Sequence, residues 1–266
     1  MLISRLISSA LMFSFIALTV FVFPNWFFGL MTIIIISVAL FEFYAMIEKK
    51  GVITYKIFGL LLGIAIPLSI YQEFKLTSGW EFFFVAAACF ILFVMQLARR
   101  GQDQAVLSVS TTIFGILYVS WFLSFIIRIK FLPEGAWLVV FLILVTKASD
   151  MAAYAIGSLF GRHTLIQRIS PKKTWEGAIA GFVASILMAF FCRRFVPQIP
   201  AGHILYLGAF LGLMALIGDL YESLLKRDCQ TKDASSIFPG LGGMLDVIDS
   251  IIFTAPVFYF YIKYFL

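Results

Sequence analysis

Charged side chains are scarce in this 266-residue chain: they make up 13% of it, against 62% hydrophobic residues. Soluble domains carry about a quarter charged residues, so this composition excludes an ordinary soluble fold. The apolar residues fall into runs close to the about 20 residues that a membrane-spanning helix needs. These runs do not alternate between polar and apolar positions, so we predict helices rather than membrane strands.

Cysteine and histidine are also few. The three cysteines are Cys89, Cys192 and Cys229, and the two histidines are His163 and His203. Their spacing matches neither a disulfide framework nor a zinc site. The G-x-x-x-x-G-K-[ST] loop of soluble nucleotide-binding folds is absent as well. A nucleotide would therefore have to be held by the membrane helices themselves.

What the chain does have is a series of long apolar runs, which predicts an all-α polytopic membrane protein with about nine transmembrane helices. The runs are residues 6–23, 26–47, 57–71, 82–97, 105–127, 136–160, 175–191, 204–217 and 247–265. The runs at 57–71 and 204–217 are short and need flanking residues to reach the length of a membrane-spanning helix. The first is longer than the apolar core of a signal peptide and no A-x-A site follows it, so we expect it to be retained.

Basic residues in short loops mark the cytoplasmic side of a membrane protein, and they are about twice as frequent on the side that holds the N-terminus. We therefore expect a cytoplasmic N-terminus and an external C-terminus, in the inner (plasma) membrane of the cell. The polar loops at 161–175 and 219–247 then face the cytoplasm. The chain divides into N-terminal transmembrane helices, residues 1–135, and a C-terminal region, residues 136–266, that carries both loops.

A few ionisable residues interrupt the apolar runs. Lys147 and Asp150 lie three residues apart, on one face of a predicted helix. Charges at bilayer depth are functional candidates, so this pair predicts a polar cavity, although a self-neutralising ion pair is the alternative. Glu42 stands alone in its run, and both interpretations stay open for it.

Glycines at the spacing that lets membrane helices approach closely predict tight packing in the C-terminal half. The pairs are Gly157/Gly161, Gly177/Gly181 and Gly208/Gly212.

The segment from Ser170 to Gly177 reads as a helix start, with Ser170 as the cap and Pro171 at the first helical position. Lys172 and Lys173 would then lie in the first turn, where the helix dipole disfavours cations. A bound anion would remove this conflict, so the pattern predicts a phosphate site. A basic topology signal at the membrane boundary is the alternative.

The segment from Ser223 to Ser250, SLLKRDCQTKDASSIFPGLGGMLDVIDS, concentrates mixed charge between two apolar runs. One helical face carries Asp219, Glu222, Ser223 and Lys226, either as a site or as an internal ion-pair ladder. Asp246 and Asp249 open the last run, as metal ligands or as helix-start acids. Several carboxylates suit Mg²⁺, and interleaved cations suit phosphates. Together they favour phosphoryl or nucleotidyl transfer.

These residues resemble the signature of the phosphatidate cytidylyltransferase (CDP-diacylglycerol synthase) family, S-x-x-K-R-x4-K-D-x5-P-G-H-G-G-x-x-D-R-x-D-S. The matching positions are Ser223, Lys226, Arg227, Lys232, Asp233, Pro239, Gly240, Gly242, Gly243, Asp246, Asp249 and Ser250. The block from Ser170 to Gly177 and the positions from Asp150 to Arg162 also resemble the family. The resemblance covers about half of the chain. Leu241 replaces the family's usual His, and Val247 its usual Arg.

The resemblance implies a nucleotidyltransferase of phospholipid biosynthesis, which makes CDP-diacylglycerol and pyrophosphate from CTP and phosphatidic acid at the bilayer. It implies Mg²⁺ as the cofactor and no nucleic acid as a partner. A second cation and a homodimer stay open. The implied metal ligands are Asp219, Asp246 and Asp249. The implied catalytic residues are Asp246, Asp249, Lys226 and Lys232, and the implied substrate-binding residues are Lys172, Lys173, Ser223, Arg227, Asp233 and Asp150.

Two other functions fit the same residues. One is a CTP-dependent polyprenol kinase, or a cytidylyltransferase for another lipid phosphate, and its products would distinguish it. The other is a cation-coupled transporter that uses Lys147, Asp150 and Asp219 as an ion pathway.

Overall fold

The computed structural model describes residues 14–72, 80–99, 104–238 and 242–266. The described chain is mainly helical, with a first helix α1 at residues 14–21. The others are α2 Asn25–Lys49, α3 Lys56–Tyr71, α4 Trp80–Ala98, α5 Ala105–Gly115, α6 Phe122–Lys130, α7 Gly135–Phe160, α8 Trp175–Cys192, α9 Ala201–Asp228 and α10 Met244–Phe265. A π-helical segment, Ile116–Trp121, joins α5 to α6, and a 3-10 turn, Arg193–Phe195, follows α8.

Among the described residues, six helical segments are long and apolar enough to cross a membrane. They are Asn25–Lys49, Ala105–Lys130, Gly135–Phe160, Trp175–Phe195, Ala201–Asp228 and Met244–Phe265. Lys56–Tyr71 and Val85–Ala98 are apolar but shorter. The predicted class, a helical polytopic membrane protein, is confirmed, while the count of nine helices stays a prediction. Most of the run at 6–23 lies outside the described residues.

Helix α9 is longer at both ends than the run at 204–217 that predicted it. It continues to Asp228, so Asp219, Ser223 and Lys226 lie on a helix and not in a loop beginning at 219. The composition explains the extension: Leu, Glu, Lys and Arg are good helix formers, and the pair Glu222–Lys226 adds an ion pair between successive turns. The polar loop therefore begins only after Asp228.

The predicted helix start at Ser170 is wrong. Ser170–Thr174 forms a strand, β2, that pairs antiparallel with β1, Thr164–Ile166. Helix α8 begins at Trp175, and the hydroxyl of Thr174 caps it by accepting a hydrogen bond from Gly177 N at 3.2 Å. The lysines on the strand are thereby kept out of the first helical turn, where the dipole would oppose them.

By their internal contacts the residues group into two compact units. One comprises the described residues up to Arg128 together with Asp228–Val247, and the other comprises Ile129–Arg227 together with Ile248–Leu266. In the first unit, the buried isoleucines Ile66, Ile70, Ile116 and Ile127 form an apolar core. Because the hydroxyl of Tyr44 donates to the carbonyl of Thr112 at 2.8 Å, that buried ring carries no unpaired polar group.

In the second unit, helices α7, α8 and α9 pack through the predicted glycines. A Cβ on Gly181 would lie 2.8 Å from the carbonyl oxygen of Ser149 on α7. A Cβ on Gly208 would lie 2.8 Å from the Cα of Ile186 on α8. The predicted role of these glycines in close helix approach is therefore confirmed.

This packing makes Gly208→Ala destabilising. The new methyl group would meet backbone on α8, and overpacking of this kind costs about 1–3 kcal/mol. Gly202→Ala is the matched control on the same helix, because a Cβ there meets nothing within 4 Å. We expect the Tm of Gly208→Ala in detergent to fall roughly 2–8 °C below that of Gly202→Ala. Equal melting temperatures for the two variants would contradict the packing argument.

Candidate functional site

The first contact of the site joins the hairpin to helix α9 within the second unit. Lys173 on β2 places its Nζ 2.7 Å from Oδ1 of Asp219, and the same Nζ donates to Oγ of Ser223 at 3.2 Å. Asp219 and Ser223 lie one helical turn apart, so one lysine reaches both. The side chains keep partial exposure, 21% for Lys173 and 36% for Asp219. The segment from Ser170 to Gly177 therefore meets the start of the segment from Ser223 to Ser250 at Lys173.

A second set of contacts joins α7 to α10 in the same unit. Lys147 Nζ lies 2.9 Å from Oδ2 of Asp150, which is the ion pair that the sequence analysis gave as the alternative to a polar cavity. The hydroxyl of Ser250 donates to that same oxygen of Asp150 at 2.6 Å. It also lies 3.0 Å from Oδ1 of Asp249, whose carboxylate accepts from Ser250 N at 2.6 Å. Ser250 thus bridges two of the predicted acidic residues.

Electrostatic interaction links the two sets. The ammonium group of Lys147 interacts with the charges of Asp150, Asp219 and Asp249. The carboxylates of Asp219 and Asp249 repel each other. Like charges in an apolar unit are unfavourable unless cations compensate them. We call this set the polar cluster: Lys147, Asp150, Lys173, Asp219, Ser223, Asp249 and Ser250.

Other predicted cations lie outside the polar cluster. Lys226 forms an ion pair with Glu222, which is fully buried on the same helix. Arg227 donates from Nε to the carbonyl of Ile169 at 3.3 Å, so it holds the hairpin against α9. Lys172 is exposed, because neighbouring residues on a strand point to opposite faces and Lys173 takes the inner one.

Asp246 belongs to the first unit and caps the start of α10. Its Oδ2 accepts from Gly243 N at 2.6 Å and from Ala234 N at 3.0 Å. This is the capping-box geometry, in which the third helical residue reaches back to the residue before the helix. Lys232 and Asp233 are exposed in the preceding loop. The signature positions Pro239, Gly240 and Leu241 lie outside the described residues.

Glu42 has a role that the sequence left open. It is 2% exposed, and its carboxylate accepts from Met244 N at 3.0 Å, Leu245 N at 2.8 Å and Ser235 Oγ at 2.5 Å. The signal that could have found this contact is the Gly242-Gly243 pair before α10. A helix that follows glycine has no side chain in the N-cap position, so its first N–H groups need an acceptor from elsewhere.

The residues present fit a hard divalent cation. Carboxylate oxygens are the ligands that Mg²⁺ prefers, and the repulsion between Asp219 and Asp249 is what a cation would relieve. Within the described residues, no three His, Cys, Asp or Glu side chains are grouped closely enough to form a metal site by themselves. A cation held there would therefore share its coordination with a ligand such as a phosphate, which is usual for Mg²⁺.

The fold and the polar cluster define a multi-span helical membrane protein that holds a cluster of carboxylates and lysines. The sequence profile of the Cytidylyltransferase family matches residues 3–265, and the chain belongs to this family.

Its relatives agree with that assignment. The chain is 29% identical to the phosphatidate cytidylyltransferase of Synechocystis sp., over 98% of this chain and 95% of that protein. It is 33% identical to the phosphatidate cytidylyltransferase of Mycobacterium leprae, over 73% of this chain and 69% of that protein. It is 35% identical to the uncharacterized protein YnbB of Escherichia coli over 58% of this chain, and that match spans about half of YnbB, 51%.

Proposed function

We propose that this protein is a phosphatidate cytidylyltransferase, which converts CTP and phosphatidic acid into CDP-diacylglycerol and pyrophosphate. The observation that carries the proposal is the contact of Lys173 with Asp219 and Ser223. Within one unit, it joins the Ser170–Gly177 block to Ser223, the first residue of the signature that resembles this enzyme family. Membership in the Cytidylyltransferase family supports the same reaction.

In this reaction a phosphate oxygen of phosphatidic acid attacks the α-phosphorus of CTP, and pyrophosphate leaves. The attacking group is already an anion, so no strong general base is needed, and positioning and charge stabilisation dominate. Lys173 and Lys147 bring positive charge to the polar cluster, where phosphate oxygens would compete with Asp219 and Asp150 for them. Lys226, Arg227 and Lys232 add cations along the signature segment.

Mg²⁺ is the cofactor of the proposal, with Asp219 and Asp249 of the polar cluster as its protein ligands. Asp246 is proposed as a third ligand on the resemblance to the family alone. When bound, it would neutralise charge on the phosphates of CTP. Asp150 and Ser250 hold Asp249 in place through the hydroxyl bridge described above. Ser223 keeps Lys173 oriented toward Asp219.

The proposal places nine helices in the inner membrane, with the N-terminus and the active site facing the cytoplasm. The distribution of basic residues supports this orientation. A cytoplasmic site has direct access to CTP, while the apolar helices give the lipid substrate a route from the bilayer.

The reaction is tested with purified protein, CTP, phosphatidic acid and Mg²⁺ in detergent micelles. We expect pyrophosphate and CDP-diacylglycerol in equal amounts, and neither product when Mg²⁺ is chelated. Release of CDP with a newly phosphorylated lipid would instead identify a kinase. Cation flux into liposomes without nucleotide, and no product, would identify a transporter.

Asp246→Asn separates the two roles of that residue. Asparagine keeps an oxygen that can accept from Gly243 N, so we expect the Tm to change little. It loses the charge that a metal ligand needs, so we expect kcat to fall about 10–100-fold. Pyrophosphate release over a range of Mg²⁺ concentrations measures this. Unchanged turnover would remove Asp246 from the metal site and leave it as a helix cap.

A further inference from the structure

Helix α10 begins without a capping side chain on the residue that precedes it. The residue before it is Gly243, which has no side chain to accept hydrogen bonds from the first turn. The first four N–H groups of a helix have no partner within the helix. Burial of the first turn among apolar residues would leave these donors unpaired, which is costly without an acceptor from elsewhere.

Glu42 on α2 supplies that acceptor. Its Oε1 accepts from Met244 N at 3.0 Å, and its Oε2 accepts from Leu245 N at 2.8 Å. Both contacts lie within the first compact unit. A carboxylate at a helix N-terminus also interacts favourably with the helix dipole, and hydrogen bonds to a charged acceptor are among the strong ones.

The same carboxylate holds the loop that leads into α10. The hydroxyl of Ser235 donates to Oε1 of Glu42 at 2.5 Å. A Cβ on Gly243 would lie 2.7 Å from both oxygens of Glu42, so the fit leaves no room for a side chain there. Asp246 closes the turn by accepting from Gly243 N. One acid from α2 and one from α10 thus pair three successive N–H groups.

We propose that Glu42 is a positioning residue for the signature segment. It fixes the register and the rotation of the first turn of α10, and Asp246 and Asp249 follow on that same continuous helix. An error of one residue in the helix start would turn both carboxylates by about 100° around the helix axis. The consequence for catalysis rests on the proposed function, while the capping of α10 does not.

The test compares Glu42→Ala and Glu42→Gln with Glu48→Gln. Glu48 lies on the same helix but is exposed, and it pairs with Lys56 and Thr54. We expect Glu42→Ala to lower kcat roughly 10–100-fold per folded molecule, with a smaller change in KM for phosphatidic acid. Glutamine keeps an acceptor oxygen and the side-chain length, so Glu42→Gln should recover part of kcat. Glu48→Gln should match the wild type.

A second readout does not depend on the enzyme assay. Hydrogen–deuterium exchange of the peptide that contains Met244 and Leu245 should speed up in Glu42→Ala and stay slow in Glu48→Gln. Unchanged exchange in both Glu42 variants overturns the proposal. So does a loss of activity that follows only the loss of folded protein, with kcat per folded molecule unchanged. A wild-type protein without CDP-diacylglycerol synthesis would refute the proposed function alone, and exchange would still decide the role of Glu42.

Discussion

Asp249→Asn should lower kcat by about 10³-fold, the largest effect of any single substitution in the polar cluster. Asp249 is 7% exposed, and its charge interacts with those of Asp219, Lys147 and Asp150. Asparagine keeps the size of the side chain and an oxygen for Ser250 N, so it removes the charge and little else. Pyrophosphate release with CTP, phosphatidic acid and Mg²⁺ measures the loss, and melting in detergent checks the fold.

Asp228→Asn is the matched control for that substitution. Asp228 carries the same group at the end of α9, 56% exposed and paired with Lys50. Exposed ion pairs contribute about 0–1 kcal/mol, so both activity and stability should stay near those of the wild type. An Asp249→Asn protein that retains more than a tenth of wild-type turnover would exclude Asp249 from the reacting site.

Lys173→Met should lower kcat/KM about 10²–10³-fold, with a raised KM for CTP as part of the loss. Methionine has a similar length and no charge, so the substitution removes the ion pair with Asp219 and the hydrogen bond to Ser223. Lys173→Arg keeps the charge with a different donor geometry, and we expect it to recover only part of the activity. The measurement is initial rate against CTP concentration.

Lys49→Met serves as the control for charge alone. Lys49 is exposed at the end of α2, so its loss changes the net charge without touching the polar cluster. If Lys49→Met and Lys173→Met gave the same rates, the effect of Lys173 would be general electrostatics and not a contact within the site.

Local patterns predicted much of this molecule. The apolar runs located the long helices, and the glycine pairs located the close contacts of α7, α8 and α9, because both signals act over a few residues. The shared helical face of Lys147 and Asp150 was predicted for the same reason, since three residues span about one helical turn, and the ion pair between them was the alternative to a cavity.

The predictions that were wrong or incomplete concern positions where one local pattern fits two structures, or where the partner lies far away in the chain. Ser170 and Pro171 suit a helix start, but Thr174 caps α8 four residues later, and the lysines are better placed on a strand. The spacing of Asp219, Ser223 and Lys226 predicted a helical face, but the polar loop was started too early, at 219, because an average over apolar residues ends where polar helix formers begin. Gly242-Gly243 indicates that the start of α10 needs an acceptor from elsewhere, but not that Glu42 supplies it, since Glu42 lies 202 residues earlier than Met244.

The separation of 202 residues between Glu42 and Met244 has a consequence during synthesis of the chain. Ribosomes add about 5–20 residues per second, so Glu42 would wait roughly 10–40 s before Met244 is made. During this time the carboxylate of Glu42 lacks the three donors that surround it in the finished fold, Ser235 Oγ, Met244 N and Leu245 N. A nascent chain that stops before Ser235 never supplies them. The acid that orients the last helix is therefore made long before the N–H groups that it pairs.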